Sequence, residues 1–376
     1  MKTLYIAYND VFSRHELGFV AAVSELGRVD VVVLSSRVLM HKLRVASDNG
    51  EHAVTFYEVP CSGLARFSYY ADIVRDVLKA EDYDIAFATP RLPVFVARSL
   101  RDLLHHIILR LWSIRAAKLR DNLRFGARED VFIYVPSILA NMTYMSNLTY
   151  VMTIDNATYS FAKKIYPMFK TRLLKIYPPY GFIREDNNRE YPNIPEIIDR
   201  GDYVLGFTSL NKLGPYLKFE AKPHATVLYQ LARNVDVNVI LAGSTLEDWK
   251  QAFPNLEPPR NLHIIGRGLG DDIVAKLYDK VKLVVAPITN RNISNRLLES
   301  LFYGKPVIST EVVRYVHPEL RHGKHVYISS WDNIVEDAIK LLRDDEAIEG
   351  LRLGAKEAYT TYFSTMRNVA FVKRLI

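Results

Sequence analysis

Short apolar runs, each followed by a stretch of helical periodicity, recur along this chain in two series separated by a Pro-rich break. The first series is KTLYIAY, VDVVVLSS, TFYEVP, YDIAFATP, VFIYVPS and TYVMTID, with helices expected at 68–80 and over a long 94–121. Near-continuous apolar runs such as VDVVVLSS suit parallel strands covered on both faces. The break lies at IYPPYGFI and the polar REDNNREYPNIPE, which place a linker around 184–197. The pattern then restarts with YVLGFTS, VNVILAG, NLHIIG, KLVVAPI and PVIST, separated by helices at 219–234, 245–253, 271–280 and 294–303. Strands alternating with helices demand a parallel sheet with right-handed crossovers. The expectation is an α/β chain of two doubly wound Rossmann-like domains, 1–188 and 197–355, followed by a last helical segment at 356–376. A length of 376 residues fits two cores better than one.

The formal charge of +7 calls for an anionic partner. Nucleic acid is disfavoured, because no helix-turn-helix, zinc finger or aromatic RNA-binding signature is present. The single cysteine, Cys61, excludes an internal disulfide and a cysteine-cluster metal site. The N-terminus lacks the features of a signal peptide, and no run is long and apolar enough to span a bilayer, so a cytoplasmic location is expected.

Ligands of open parallel sheets bind beyond the carboxyl ends of the strands, so the loops after each strand carry the chemistry. The most informative segment is APITNRNISNRLLESLFYGKPVIST at 286–310. A polar loop ends at Asn292, and Ser294 or Asn292 can cap the helix that follows. The free N–H groups of that helix then form a phosphate site. Glu299 lies on the same helix, which is expected to stop at Gly304.

The run NISNRLLESLFYGKPVIST resembles the donor-site signature of retaining glycosyltransferases of the GT-B fold, family four (glycosyl transferases group 1). By that resemblance, Glu299 accepts hydrogen bonds from the donor ribose, and backbone around Asn292, Ile293 and Ser294 contacts the pyrophosphate. The family often carries a further glutamate eight positions earlier, where this chain has Arg291. YVLGFTSLNKLGPYLKFE is similar to the first strand and loop of the family's C-terminal domain, whose basic pair neutralises the leaving diphosphate. Lys212 falls near the family's lysine and Ser209 lines the same loop, but Phe207 stands where an arginine is expected, leaving Arg291 or Arg296 to supply the charge. NLHIIGRGLGDDIVAKLYDKVKLVVAP matches the next conserved stretch, with Ile265, Gly266 and Arg267 flanking the base. Its Gly-Arg-Gly-Leu-Gly run lacks the spacing of a dinucleotide fingerprint.

In the N-terminal domain the resemblance is topological only. The loop NDVFSRHELG offers Arg14 and His15, and the strand TYVMTID ends in Asp155, which either contacts the transferred sugar or caps the next helix. The resemblance implies a UDP- or GDP-linked sugar donor used as substrate, no cofactor or obligatory metal, and an acceptor that is a glycan, lipid-linked saccharide or polysaccharide. It also implies a last helix that crosses back to the N-terminal domain. Asp82-Tyr83-Asp84 has the text of a metal-binding Asp-x-Asp, but it precedes its strand and so lies at the wrong edge. The segment 98–124 holds seven Lys/Arg against two acids with leucine and isoleucine at helical spacing. It reads as a basic amphipathic helix whose apolar face packs on the sheet or rests peripherally on the inner face of a membrane. A nucleotide-sugar epimerase, or a non-catalytic relative that binds nucleotide sugars, shares the same architecture.

Overall fold

The computed structural model describes residues 1–8, 13–35, 40–60, 67–79, 81–90, 92–111, 149–165, 172–184, 198, 201–212, 217–289 and 294–375. The chain divides into two compact units, one built from Met1–Glu185 and Tyr362–Ile376, the other from Asp186–Thr289 and Ser294–Thr361.

The first unit runs β1 (Lys2–Tyr8), α1 (Arg14–Ser24), β2 (Arg28–Ser35), β3 (Met40–Ser47), β4 (Gly50–Pro60), α2 (Phe67–Val77), β5 (Tyr83–Ala88), α3 (Leu92–Ser99), β6 (Leu104–Leu111), β7 (Tyr150–Thr153), α4 (Asn156–Ile165), β8 (Leu173–Lys175) and β9 (Phe182–Arg184). The sheet order is β8-β7-β6-β5-β1-β2-β4-β3-β9. Every pairing is parallel except those of β3, which runs against both β4 and β9. The chain leaves β1 toward β2 and later returns to the other side at β5, so β1 and β5 flank the point where strand order reverses. Tyr5, Val31, Phe87, Ile108 and Met152 meet Phe19 and Val20 of α1 on one face, while Leu4, Val32, Ala86 and Leu109 meet α2 and α3 on the other.

The long helix expected over 94–121 is not formed. The helix stops at Ser99, a 3-10 turn spans Arg101–Leu103, and Leu104–Leu111 is a parallel strand between β5 and β7. Leu104, Ile107, Ile108 and Leu111 satisfy helical spacing, yet Leu109 and Arg110 are buried as well, which a one-faced helix does not allow. The basic amphipathic helix proposed for membrane contact at 98–124 therefore fails across its first half, and 112–124 lie outside the described residues. So do the expected strand VFIYVPS and the linker segment 185–197. Among the described residues, no helix is long and apolar enough to cross a membrane.

The second unit runs β10 (Tyr203–Phe207), a π-helical turn (Leu217–Ala221) leading into α5 (Lys222–Asn234), β11 (Val239–Ala242), α6 (Leu246–Ala252), β12 (Leu262–Ile265), α7 (Asp271–Asp279), β13 (Val281–Val285), α8 (Asn295–Phe302), β14 (Val307–Thr310), α9 (Val313–Val316), β15 (Tyr327–Ser329), α10 (Ile334–Leu342) and α11 (Asp345–Ala358). Its six strands are all parallel in the order β12-β11-β10-β13-β14-β15. Strand order reverses between β10 and β13, which pair directly. Gly304 ends α8 at φ +60°, a conformation that costs a side chain about 1 kcal/mol or more, and its N–H closes on Leu301 O.

The last helix, α12 (Thr365–Lys373), belongs to the first unit. It lies along α1 and is tied down by polar contacts: Thr365 N donates to the Asp48 carboxylate at 3.1 Å, and Asn368 Nδ2 donates to Tyr177 O at 3.0 Å. The Phe363 ring sits 5.3 Å from Tyr177. The return of the tail to the N-terminal unit agrees with the sequence reading.

Candidate functional site

The reversal point of the second sheet is where an open parallel sheet presents a crevice. Three hydroxyls hold its walls. Ser244, after β11, donates to Thr208 O at 2.8 Å and accepts from Leu210 N at 3.0 Å, fixing the loop that leaves β10. Ser309 Oγ, on β14, donates to Ala286 O at 2.6 Å, and Thr310 Oγ1 accepts from Ile288 N at 3.2 Å. The segment after β13 is thereby pinned to the neighbouring strand. Sequence inspection passed over all three, because clamping hydroxyls carry no spacing of their own.

Ser294 caps α8, its Oγ accepting from Leu297 N at 3.3 Å. The first turn of a helix directs its backbone N–H groups outward, a setting that suits an anion. Glu299, one turn further, is fully buried. Its Oε2 accepts from Tyr278 OH at 3.0 Å and from Arg296 Nη1 at 2.8 Å. The Arg296 guanidinium lies 4.1 Å from the centre of the Phe207 ring. Phe207 stacks on Tyr278 at 5.8 Å and 17°, and Tyr278 stacks on Tyr303 at 4.7 Å and 13°. Burial, reinforced by the Glu299 charge, pushes the Tyr278 phenol well above its ordinary value, so it remains a donor. Phe207, standing where the resemblance implies an arginine, is thus the face on which another arginine rests.

His224 of α5 adds no charge here. Burial, aided by the positive charge of Arg296, pushes its pKa down to about 4, against the opposing hydrogen bond to Val285 O. Because its partner at 3.0 Å is a carbonyl oxygen, Nε2 carries the proton and donates.

The remaining expected ligands of the second unit are placed unevenly. Ser209 and Lys212 share one turn, with Lys212 N donating to Ser209 O at 3.4 Å and Lys212 exposed. Gly266 O accepts from Gly243 N at 3.1 Å, which ties the end of β12 to the end of β11. Arg267 forks onto Asp248, with Nε to Oδ2 at 2.8 Å. Asp248 also completes a capping box with Thr245 at the start of α6, and the Arg267 hydrogen bond holds its carboxyl below the usual range. Arg267 in this arrangement braces a helix start. Arg291, Asn292 and Ile293 lie outside the described residues.

Asp155 is in the first unit. It follows β7 and is fully buried, its Oδ1 accepting from Thr158 N at 2.6 Å and its Oδ2 from Thr158 Oγ1 at 2.8 Å. These bonds cap α4. Burial pushes the Asp155 pKa up to about 7, against the hydrogen bonds of Thr158 and Ala157 and the charge of Lys175, which favour ionisation. With the folded value above the unfolded one, the native state holds the extra proton between about pH 4 and 7, so this contribution to stability is full below pH 4 and declines as pH rises to 7. Asp155→Asn is expected to remove that decline. In urea titrations, the stability of the variant relative to the native protein should rise from pH 4 to pH 7 by up to about 1.4 kcal/mol per pH unit. A pH-independent difference would contradict the assignment.

Arg14 and His15 begin α1, where His15 bonds Ser13 Oγ at 3.0 Å. Asp82 and Asp84 flank the start of β5: Asp84 accepts from Lys2 N at 2.7 Å and Tyr83 OH donates to Asp30 at 2.9 Å, which are structural tasks.

Residues 221–344 match the family described as Glycosyl transferases group 1, a stretch that runs from the start of α5 through α10 and includes Glu299. No curated protein matches this sequence. Solved structures match over the whole chain. HepE from Anabaena, solved in complex with UDP, has a TM-score of 0.67 at 14% identity, covering 100% of this chain and 99% of that one. Sucrose-phosphate synthase from Thermosynechococcus elongatus has a TM-score of 0.69 at 12% identity, covering 100% and 98%. WaaG, a glycosyltransferase involved in lipopolysaccharide biosynthesis, has a TM-score of 0.62 at 15% identity, covering 99% of both chains. Two Rossmann-like units and a returning C-terminal helix give this chain the GT-B fold, and its stretch 221–344 matches Glycosyl transferases group 1.

Proposed function

We propose that the protein transfers a sugar, with retention of anomeric configuration, from a UDP- or GDP-linked donor to a hydroxyl of a glycan, lipid-linked or polysaccharide acceptor. The observation that carries this reading is the buried Glu299 carboxylate one turn behind the capped start of α8, at the strand-order reversal of the second sheet. UDP is favoured as the carrier, since HepE was solved with UDP and with UDP-glucose. In this reading Glu299 receives the ribose hydroxyls, and the first turn of α8, with Asn292, Ile293 and Ser294, receives the diphosphate. Ser209, Gly266 and Arg267 border the nucleotide. Lys212, Arg291 and Arg296 offset the charge that builds on the diphosphate as the C1–O bond breaks and the acceptor oxygen bonds to C1 on the same face. Asp155 holds the β7–α4 turn, from which it would meet the transferred sugar.

Thermal unfolding against a panel of nucleotides and nucleotide sugars tests the reading. One base family should raise the midpoint, equivalent to about 2.7 kcal/mol at a hundredfold excess over the dissociation constant. Glu299→Ala should abolish the shift. A folded protein that responds to no member of the panel contradicts the donor site.

A further inference from the structure

Glu299 is fully buried, so a ribose reaches it only after a group now covering its carboxylate moves aside. Two groups donate to the same oxygen, Tyr278 and Arg296. Tyr278 is itself fully buried and sandwiched between the rings of Phe207 and Tyr303, so it stays. Arg296 is the movable one: its side chain is 41% exposed, and its contacts with the carboxylate and with the Phe207 face are separable.

We propose that Arg296 is an exchangeable counter-ion, released from Glu299 when a nucleoside diphosphate binds and taken up by the diphosphate. This rests on the donor-site reading above and goes beyond it. Arg296 is the second residue of α8, within a turn of the N–H groups that would receive an anion. The flat Phe207 ring lets the guanidinium slide off the carboxylate while keeping its cation–π contact. Charge stays balanced through the exchange: the carboxylate trades a cation for ribose hydroxyls and the Tyr278 donor, and the cation gains two phosphates. A bare nucleoside offers no anion, so it must break the Arg296–Glu299 pair without replacing it. The pair therefore penalises nucleosides and makes ribose recognition depend on the diphosphate.

The consequence is a crossover. Removing the arginine should weaken a nucleoside diphosphate and strengthen the corresponding nucleoside. Titration calorimetry of the full chain with UDP and uridine, and with GDP and guanosine, compares the native protein with Arg296→Met. The expected result is roughly a tenfold loss for the diphosphate and a gain for the nucleoside, closing the gap between them. Arg296→Lys, which keeps the charge but not the planar stack, should restore the diphosphate preference in part. It also serves as the test if the Met variant fails to fold. Equal weakening of both ligands, or no change in either, overturns the exchange while leaving the donor site standing. A native protein that binds neither diphosphate overturns the donor reading and the exchange with it.

Discussion

Arg110→Met should destabilise the protein by about 3–5 kcal/mol, the usual consequence of leaving one buried charge without its partner. Arg110 lies on β6 with no exposed side-chain surface and forks onto Glu16 of α1, Nε to Oε2 at 3.1 Å and Nη2 to Oε1 at 2.7 Å. Its guanidinium also covers the Phe19 ring at 3.6 Å. Methionine fills much of the volume but takes the guanidinium away from a carboxylate that is 1% exposed, with His15 Nε2 still 3.6 Å from its Oε1. The pair of substitutions Glu16→Gln and Arg110→Met should recover most of the loss, since a neutral amide tolerates that site better than an unpaired charge. Urea unfolding of the four proteins measures the coupling. A single variant within about 1 kcal/mol of the native protein would show that the ion pair does not support α1 against the sheet.

The second large effect reverses a common rule. Gly→Ala within an exposed helix gains roughly 0.5–1 kcal/mol, and Gly350→Ala in α11 should do so, because its added methyl meets open space. Gly18→Ala in α1 should instead cost on the order of 3 kcal/mol. A Cβ there would sit 2.1 Å from Pro179 O and 2.5 Å from Pro179 C. The close approach is mutual, since a Cβ on Gly181 would lie 2.2 Å from Gly18 N. Both obstacles are backbone, so no side-chain rotation relieves them, and Gly181 N is already bonded to Arg14 O at 3.0 Å. Thermal midpoints of the two alanine variants should therefore move in opposite directions. A neutral Gly18→Ala would mean that the 176–181 segment stands further from α1 than described.

These two sites also show where sequence reasoning ends. The strand–helix alternation from β10 to β14 was legible because each of these strands is a short buried apolar run bounded by Gly, Pro or polar residues, whereas the three-residue β15 is too short to show periodicity. Ser294 as a cap and Gly304 as a helix stop followed from single-residue backbone chemistry. β6 was misread because LHHIILRL satisfies helix and strand patterns alike, and what decides is Arg110, whose partner lies 94 residues away. Ser13-x-x-Glu16 has the text of a capping box, yet Ser13 makes no side-chain cap and Glu16 turns to Arg110. β3 was missed because MHKLRVAS carries alternating charge, as befits a strand near the sheet edge. In the candidate site, the motif located Glu299, but the stack that holds Arg296 joins Phe207, Tyr278 and Tyr303 from three separate elements. No spacing rule connects them.

The central claim is that a nucleotide sugar binds at the strand-order reversal of the second sheet, and amide hydrogen exchange of the full chain tests it most directly. The chain would be compared alone and with the nucleoside diphosphate that stabilises it most. The first N–H groups of a helix exchange fast unless a ligand accepts from them. Binding should slow exchange in the first turn of α8, at Ala286–Ile288 after β13 and at Thr208–Leu210 after β10, with little change at the far ends of the same strands. Protection absent from all three segments, with the ligand demonstrably bound, would place the nucleotide elsewhere and contradict the account.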